Sequence, residues 1–187
     1  MNRSLKGFTL IELLITMSVI AIIASLSATS FLGLVEKMTA SATRSNIERT
    51  FSLGRFTAVT EQTIVTICPL DNANRCSSDY SRPTAIFRDP ANSLELSDTS
   101  QLVKSVTLAA GGTLIPSNTP HGPRTNFQYR PDGSIRGTLG NFTWCPASGD
   151  AKSALHVRIN FGGRLIWSRD TNGNQVVETS QGEDVSC

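Results

Sequence analysis

The hydrophobic pattern begins with a long apolar run near the start of the chain. Between Lys6 and Glu36 the run contains a single charged residue, Glu12. No proline interrupts the chain from Phe8 to about Thr60, so this region predicts one continuous helix of roughly 75–80 Å at 1.5 Å per residue. The apolar part alone is long enough for the roughly 20 residues that cross a bilayer.

Beyond Val35 the helical pattern becomes amphipathic. Apolar residues recur at broadly helical intervals with charged residues between them; the apolar positions are Met38, Ala42, Ile47, Phe51, Ala58 and Val59, and the charged ones are Lys37, Arg44, Glu48, Arg49 and Arg55. The second half of the helix is therefore predicted to pack on a globular head. Gly33 and Gly54 are the flexible points at which a kink could form.

Seven short runs after the helix have the composition of β-strands bounded by turn residues: TIVTICP, PTAIFRD, QLVKSVTLA, TNFQYRPDGS, GNFTWC, ALHVRINF and RLIWSR. In ALHVRINF, strict alternation predicts one face with Leu155, Val157, Ile159 and Phe161 and the other with His156, Arg158 and Asn160. FGGR predicts a two-residue Gly-Gly hairpin turn, and RPDGS predicts another turn. The head is therefore expected to be an antiparallel sheet, with the polar stretch 91–100 as a surface loop.

Composition limits the classes of function. The chain has 187 residues with 17 Lys and Arg against 15 Asp and Glu, so it can hold one globular domain beside the apolar run and has no overall charge signature for nucleic acid. Its four cysteines all lie after the apolar run, which indicates an oxidising compartment.

Three hypotheses explain the N-terminus. A cleaved secretory signal would end near Ala28, and a plain transmembrane anchor would keep the whole run. Neither explains Glu12, because a carboxylate costs about 2.5–3.5 kcal/mol at the centre of a membrane helix. The third hypothesis rests on the string KGFTLIELLI, a short basic leader followed by Gly, Phe and, four residues after the Phe, a glutamate.

This string closely resembles the leader of type IV pilins and of type II secretion pseudopilins. The resemblance implies that prepilin peptidase cuts between Gly7 and Phe8 and methylates the new amine of Phe8. It also implies the α+β pilin fold, a long N-terminal membrane-spanning helix packed on an antiparallel β-sheet head. The expected divisions are a leader at 1–7, a transmembrane and assembly helix at 8–35, an amphipathic half at 36–62 and a β-rich periplasmic head at 63–187.

Glu12 has a physical role in this interpretation. In a filament its carboxylate would lie near the α-amino group of a neighbouring subunit's Phe8, so that two charges that are each costly in lipid form a pair. The partner exists only after cleavage and only in another subunit. Glu12 is therefore expected to act in assembly.

The four cysteines allow three connectivities, of which a local pair and a tail pair are expected. Cys68 and Cys76 enclose PLDNANR, a stretch rich in turn formers, and this bridge is worth roughly 2–3 kcal/mol on a chain-entropy model. Cys145 with Cys187 would fasten the tail and is worth roughly 4 kcal/mol on the same model. A zinc site is a poor alternative because there is no Cys-x-x-Cys and the two histidines, His121 and His156, lack ligand spacing.

The resemblance extends to the GspH/FimT (FimU-like) family of minor pilins and pseudopilins through TIVTICP, FQYRPDGS and VRINFGGRL. It implies a subunit at or near the tip of a type IV pilus or type II secretion pseudopilus that primes assembly. The implied partners are other minor subunits, the major pilin, prepilin peptidase and the inner membrane. The implied location is a single pass of the inner membrane with the head in the periplasm, then the filament.

An enzyme is not expected, since no nucleophile, metal-protease or phosphate-binding motif is present, and no cofactor or metal is implied. His156 is expected to be an exposed strand residue. The tail segment DTNGNQVVE has Asp170, Asn172 and Asn174 at alternate positions, but Gln175 stands where a calcium loop of the EF-hand type needs glycine. Solvated turn residues are the simpler interpretation.

A DNA-binding minor pilin of natural transformation, as in the FimT branch, is the alternative function. That branch carries a Gly-Arg-x-Arg motif, of which this chain keeps Gly163 and Arg164 but has Ile166 in place of the second arginine. The candidate DNA contacts are Arg158, Arg164 and Arg169. A two-residue turn would place Arg158 opposite Trp167, where a cation–π contact explains both residues equally well.

Overall fold

The structure, a computed structural model, describes residues 8–137 and 139–187, except for the side chains of residues 24–32. The expected leader, 1–7, lies outside the described residues. Two compact units divide the chain, one at 1–38 and the other at 39–187. A single helix, α1 (Leu10–Glu61), has residues in both units and is helical throughout, with no break at Gly33 or Gly54.

The first unit contains the N-terminal part of α1. Its large apolar side chains between Leu10 and Ile23 are strongly exposed, for example Leu10 at 77% and Ile23 at 59%. Judged on the described residues, no helix combines the length and the apolar character that crossing a membrane requires. The membrane segment proposed for 8–35 stays a prediction.

The second unit is built on two four-stranded antiparallel sheets. The strands are β1 (Val65–Pro69), β2 (Thr84–Arg88), β3 (Leu102–Val106), β4 (Gly112–Pro116), β5 (Asn118–Thr119), β6 (Gly122–Pro123), β7 (Phe127–Tyr129), β8 (Gly140–Pro146), β9 (Leu155–Ile159) and β10 (Leu165–Trp167). The first sheet has the order β3-β2-β1-β7 and the second β10-β9-β8-β4, while β5 and β6 form a small hairpin. All seven predicted strands are confirmed; β4, β5 and β6 were not predicted.

One stripe of α1 packs against both sheets. Its buried residues recur every three or four positions: Ala40, Thr43, Ile47, Thr50, Phe51, Gly54, Thr57 and Ala58. The predicted stripe was partly wrong, because Met38, Ala42 and Val59 are exposed. Threonines occupy part of the buried stripe instead. The buried Thr50 hydroxyl has a hydrogen-bond partner within the helix, since it donates to the Asn46 carbonyl at 2.7 Å.

Phe51 joins the two sheets through their aromatic side chains. Its ring lies edge-on to Phe127 at 5.4 Å and to Tyr129 at 6.5 Å, both in the first sheet. It also stacks on Phe142 of the second sheet at 5.7 Å. The ring of Phe51 is 2% exposed, so this position links α1 to both sheets in one core.

The hairpin between β9 and β10 differs from the prediction by one residue. The Gly163 amide donates to the Asn160 carbonyl at 2.9 Å, and the Asn160 amide donates to the Arg164 carbonyl at 3.0 Å. Phe161 and Gly162 therefore form the corner of the hairpin. Gly163 follows in a left-handed conformation with φ +74°. The extra residue pairs Arg158 with Ile166, and Trp167 with Val157. The predicted pairing of Arg158 with Trp167 is wrong, and Phe161, expected on the core face, is 66% exposed.

Two disulfides close the head. Cys68 and Cys76 are bonded with their Cα atoms 5.4 Å apart, and Cys145 and Cys187 with their Cα atoms 5.6 Å apart. These are the two pairings expected from the sequence. The second bridge fixes the chain's last residue to the central strand β8.

Replacing Phe51 with Ala is expected to destabilise the head by about 3–5 kcal/mol, because it removes a buried ring from the contact of both sheets and leaves a cavity. Urea unfolding of the full chain measures the change. Phe56 is the matched control: it lies on the same helix and is 65% exposed, so Phe56→Ala should change the free energy of unfolding by less than about 0.5 kcal/mol. Equal losses from the two variants would contradict this account of the core.

Candidate functional site

The first turn of α1 is closed by a capping box. The Thr9 amide and hydroxyl both donate to Glu12 Oε2 at 3.4 Å. In return the Glu12 amide donates to Thr9 Oγ1 at 3.3 Å. These reciprocal bonds satisfy amide groups that a helix start otherwise leaves without a partner. The spacing Thr-x-x-Glu is visible in the sequence as the signal for this cap, although the sequence interpretation assigned Glu12 to assembly alone.

The cap leaves the Glu12 carboxylate available to a second partner. Glu12 is exposed, and so is Phe8 at 81%. None of the four ion pairs found among the described residues includes Glu12. A carboxylate that accepts two long hydrogen bonds keeps lone pairs for a cation that approaches from outside.

The three arginines proposed to contact DNA do not share one surface. Arg158 and Arg169 line the same groove of about 340 Å³ beside β10, together with Ile166. Arg164 instead lines a groove of about 410 Å³ between α1 and the hairpin, together with Arg55. The structure therefore brings two of the three together and separates the third.

Trp167 forms a cation–π contact with a residue that the sequence interpretation did not consider. The Arg44 guanidinium carbon lies 4.7 Å from the centre of the indole ring. The same Arg44 donates to Glu48 at 3.1 Å, one turn along α1. The shifted hairpin register turns Trp167 toward the helix, because a slip of one residue reverses the faces of a strand.

His156 is buried, which corrects the prediction of an exposed strand residue. Its exposed fraction is 4%, whereas Arg158, on the same face of β9, is exposed. Nδ1 lies 2.9 Å from the Thr143 hydroxyl of β8, and Nε2 is buried with no partner in the described part of the chain. Burial, with a smaller contribution from the nearby Arg158 charge, lowers the pKa of His156 from its ordinary value of 6.5.

The tail residues that faintly resemble a calcium loop bond to the protein itself. Asp170 accepts from the amides of Gly173 and Gln175 at 2.7 and 2.8 Å. Asn172 and Asn174 donate to the two oxygens of Asp184 at 3.1 and 2.7 Å. No group of acidic, histidine or cysteine side chains suited to a metal occurs among residues 8–137 and 139–187. The arrangement is a turn held by hydrogen bonds between these side chains and the protein itself.

Two family models match the chain. Residues 44–163 match the type II transport protein GspH, and residues 2–28 match the prokaryotic N-terminal methylation motif. The GspH match covers well over half of the 187 residues and includes the C-terminal third of α1 and most of the head. No curated protein sequence matches the chain.

Two solved structures are similar to this chain at low sequence identity. The crystal structure of the type IV minor pilin FimU from Pseudomonas aeruginosa strain PAO1 superposes with a TM-score of 0.51 and 13% identity, covering 76% of this chain and 98% of FimU. The minor pseudopilin EpsH from the type 2 secretion system of Vibrio cholerae gives a TM-score of 0.48 and 13% identity, covering 71% of this chain and 98% of EpsH. At this identity the FimU match shows a common fold.

The burial of neutral His156 predicts that the head loses stability as the pH falls below 6.5. The unfolded chain protonates this histidine first, because its pKa is lower in the folded protein, so the free energy of unfolding decreases until the folded pKa is passed. Urea titrations at pH 7.5 and pH 5 measure the loss, and His156→Gln should reduce it. His121 is exposed and serves as the control. If His121→Gln removes the loss and His156→Gln keeps it, the assignment is wrong.

Proposed function

This chain belongs to the GspH family of minor pilins and pseudopilins, and on that premise we propose that it is processed by prepilin peptidase and incorporated at or near a filament tip. Members of this family are structural subunits, which makes the chain a component of an assembly and not an enzyme. The filament is a type IV pilus or a type II secretion pseudopilus. In either one the chain primes assembly with other minor subunits and the major subunit.

The observation that carries the proposal is the pair of exposed groups at the start of α1. Cleavage after Gly7 would make Phe8 the first residue and give it a charged amine, four residues before Glu12. The Glu12 carboxylate is exposed and is held by the Thr9 cap at the surface of the first turn. A neighbouring subunit's amine can therefore reach it without disturbing the helix.

The proposed location is the inner membrane, with the head in the periplasm. The large apolar side chains from Leu10 to Ile23 are all exposed, which favours contact with lipid or with other apolar helices. Both disulfides belong to the head, which suits an oxidising compartment. A single membrane pass by residues 8–35 accounts for both observations.

Replacing Glu12 with Gln separates the assembly role from the capping role. Glutamine can still close a capping box with Thr9, but it has no charge for the partner's amine. We expect Glu12→Gln to be cleaved and inserted normally and to be recruited into sheared filaments at roughly a tenth of the wild-type amount or less, since a lost charge pair in lipid costs at least about 1.4 kcal/mol. Immunoblots of sheared filaments measure recruitment.

Thr9→Val is the matched control, because it removes the cap and leaves the charge of Glu12 in place. Normal recruitment of Glu12→Gln combined with poor recruitment of Thr9→Val would show that capping, not charge, is what the filament needs.

Mass spectrometry of the same samples tests processing: the mature chain should begin at methylated Phe8, and Gly7→Glu should accumulate uncut. A mature N-terminus near Thr29 would restore the secretory-signal hypothesis.

Binding of DNA is the second candidate function, and one observation favours it. Arg158 and Arg169 are exposed, line one groove and take part in none of the ion pairs of the described residues. Two guanidinium groups at one groove can contact neighbouring phosphates. Arg164 contributes to a different groove and is not needed for this contact.

The double variant Arg158→Ala with Arg169→Ala is expected to weaken duplex DNA binding and to reduce the slope of log affinity against log salt by about 2, since each phosphate contact contributes about 0.9. Gel-shift titrations of the full chain in detergent at several salt concentrations measure both effects. Arg164→Ala is the control and should leave the slope unchanged. Absence of binding, or an equal effect of Arg164→Ala, would remove this candidate.

A further inference from the structure

A polar groove separates α1 from the edge of the first sheet. Its volume is about 280 Å³, and the residues that line it include Asn46, Arg49, Leu53, Lys104, Val106 and Thr107. The helix residues lie one turn apart on one face of α1, and Lys104 and Val106 are alternate residues of β3. We call this feature the α1–β3 groove.

The charge of the α1–β3 groove is positive only. Arg49 and Lys104 are both exposed, and no acidic residue lines the groove. Ion pairs elsewhere in the described head join Arg44 to Glu48, Arg75 to Asp71, Arg82 to Asp79 and Arg88 to Glu61, and neither Arg49 nor Lys104 belongs to one. Two unneutralised cations on opposite walls of a groove are complementary to carboxylates or phosphates.

The groove runs beside an open sheet edge. β3 is the last strand of its sheet and, among the described strands, pairs only with β2, so the backbone N–H and C=O groups on its other side have no strand partner. An extended peptide can bond to these groups as an added strand. A nucleic acid has no row of backbone amide and carbonyl groups to match that of β3, so the open edge favours a protein segment.

The strands of this chain do not have the required charge. None of β1 to β10 contains an Asp or a Glu. Pairing of β3 with β3 of a second copy would also bring two Lys104 side chains close together, which disfavours self-association. A strand of a second copy of this chain therefore fits the groove poorly, and an acidic segment of a different protein fits it better.

From the open edge and the charge we propose that the α1–β3 groove binds an extended acidic segment of another protein, which adds to β3 as a fifth strand of the first sheet. Carboxylates at alternate positions of that segment face Lys104 and Arg49 while its backbone bonds to β3. Lys104 thus has two effects, since it attracts acidic strands and repels basic ones.

The test uses the full chain in detergent and a fluorescent peptide of alternating Glu and Val about ten residues long. We expect binding at low salt, slower amide exchange at 102–106, and roughly tenfold weaker binding to the double variant Arg49→Glu with Lys104→Glu. That variant should instead bind a Lys-Val peptide. The matched control, Arg136→Glu with Lys152→Glu, changes the net charge equally at exposed positions outside the groove.

Three outcomes would overturn the proposal. These are no binding of the Glu-Val peptide, equal weakening by the control variant, and binding without protection of the β3 amides. Duplex DNA in place of the peptide is a further arm, and DNA binding lost on changing Arg49 and Lys104 would assign the groove to nucleic acid. The result does not depend on Phe8 or Glu12, so it can fail while the assembly proposal stands, and the reverse also holds.

Discussion

The head depends on one aromatic contact. Phe51 reaches the first sheet through Phe127 and Tyr129 and the second through Phe142, while small residues such as Ala58 and Gly54 let α1 lie close to the strands. At Gly54 an added Cβ would lie 2.7 Å from Ile67 Cδ1. Each four-stranded sheet turns one apolar face toward α1. Neither sheet can bury that face without this stripe of the helix. The helix is therefore the element that makes two sheets into one domain.

The first turn of α1 shows how one residue can serve two states. In the isolated chain the Glu12 carboxylate completes a helix cap with Thr9. In the proposed filament the same oxygens would accept the amine of a neighbour. The cap does not need a negative charge, because an amide side chain can take its place, whereas the pairing does. The negative charge of Glu12 is therefore needed for the proposed pairing and not for the cap.

The parts of the fold that could be predicted are those that local chemistry decides. Turn residues and β-branched runs located seven strands, and turn formers between Cys68 and Cys76 pointed to the local bridge. The short run that forms β4 has two apolar residues between Gly112 and Pro116 and gives too little periodicity to detect. The errors lie where a distant contact decides, as at Trp167, which faces Arg44 of the helix.

The same distinction applies to the candidate sites. The isolation of Glu12 in an apolar run pointed to a special role for this residue. Its pairing with Thr9 in a cap could be assigned only once the structure showed where α1 begins. His156 follows the expected alternation and is nevertheless buried, since alternation gives the face of a strand and not what covers that face. The one-residue bulge at Gly163 depends on backbone conformation, which a pair of glycines permits without specifying.

The position of Phe51 also has a mechanical consequence. A pulling force along the second half of α1 acts on both sheets at once, because the Phe51 ring packs against Phe127 of one sheet and Phe142 of the other. The bridge between Cys145 and Cys187 closes a covalent loop across the second sheet and limits how far that part can extend. Under tension the domain should therefore unfold in a single event. The contour length released should be shorter than that of the whole domain, because the residues enclosed by the two disulfides cannot extend.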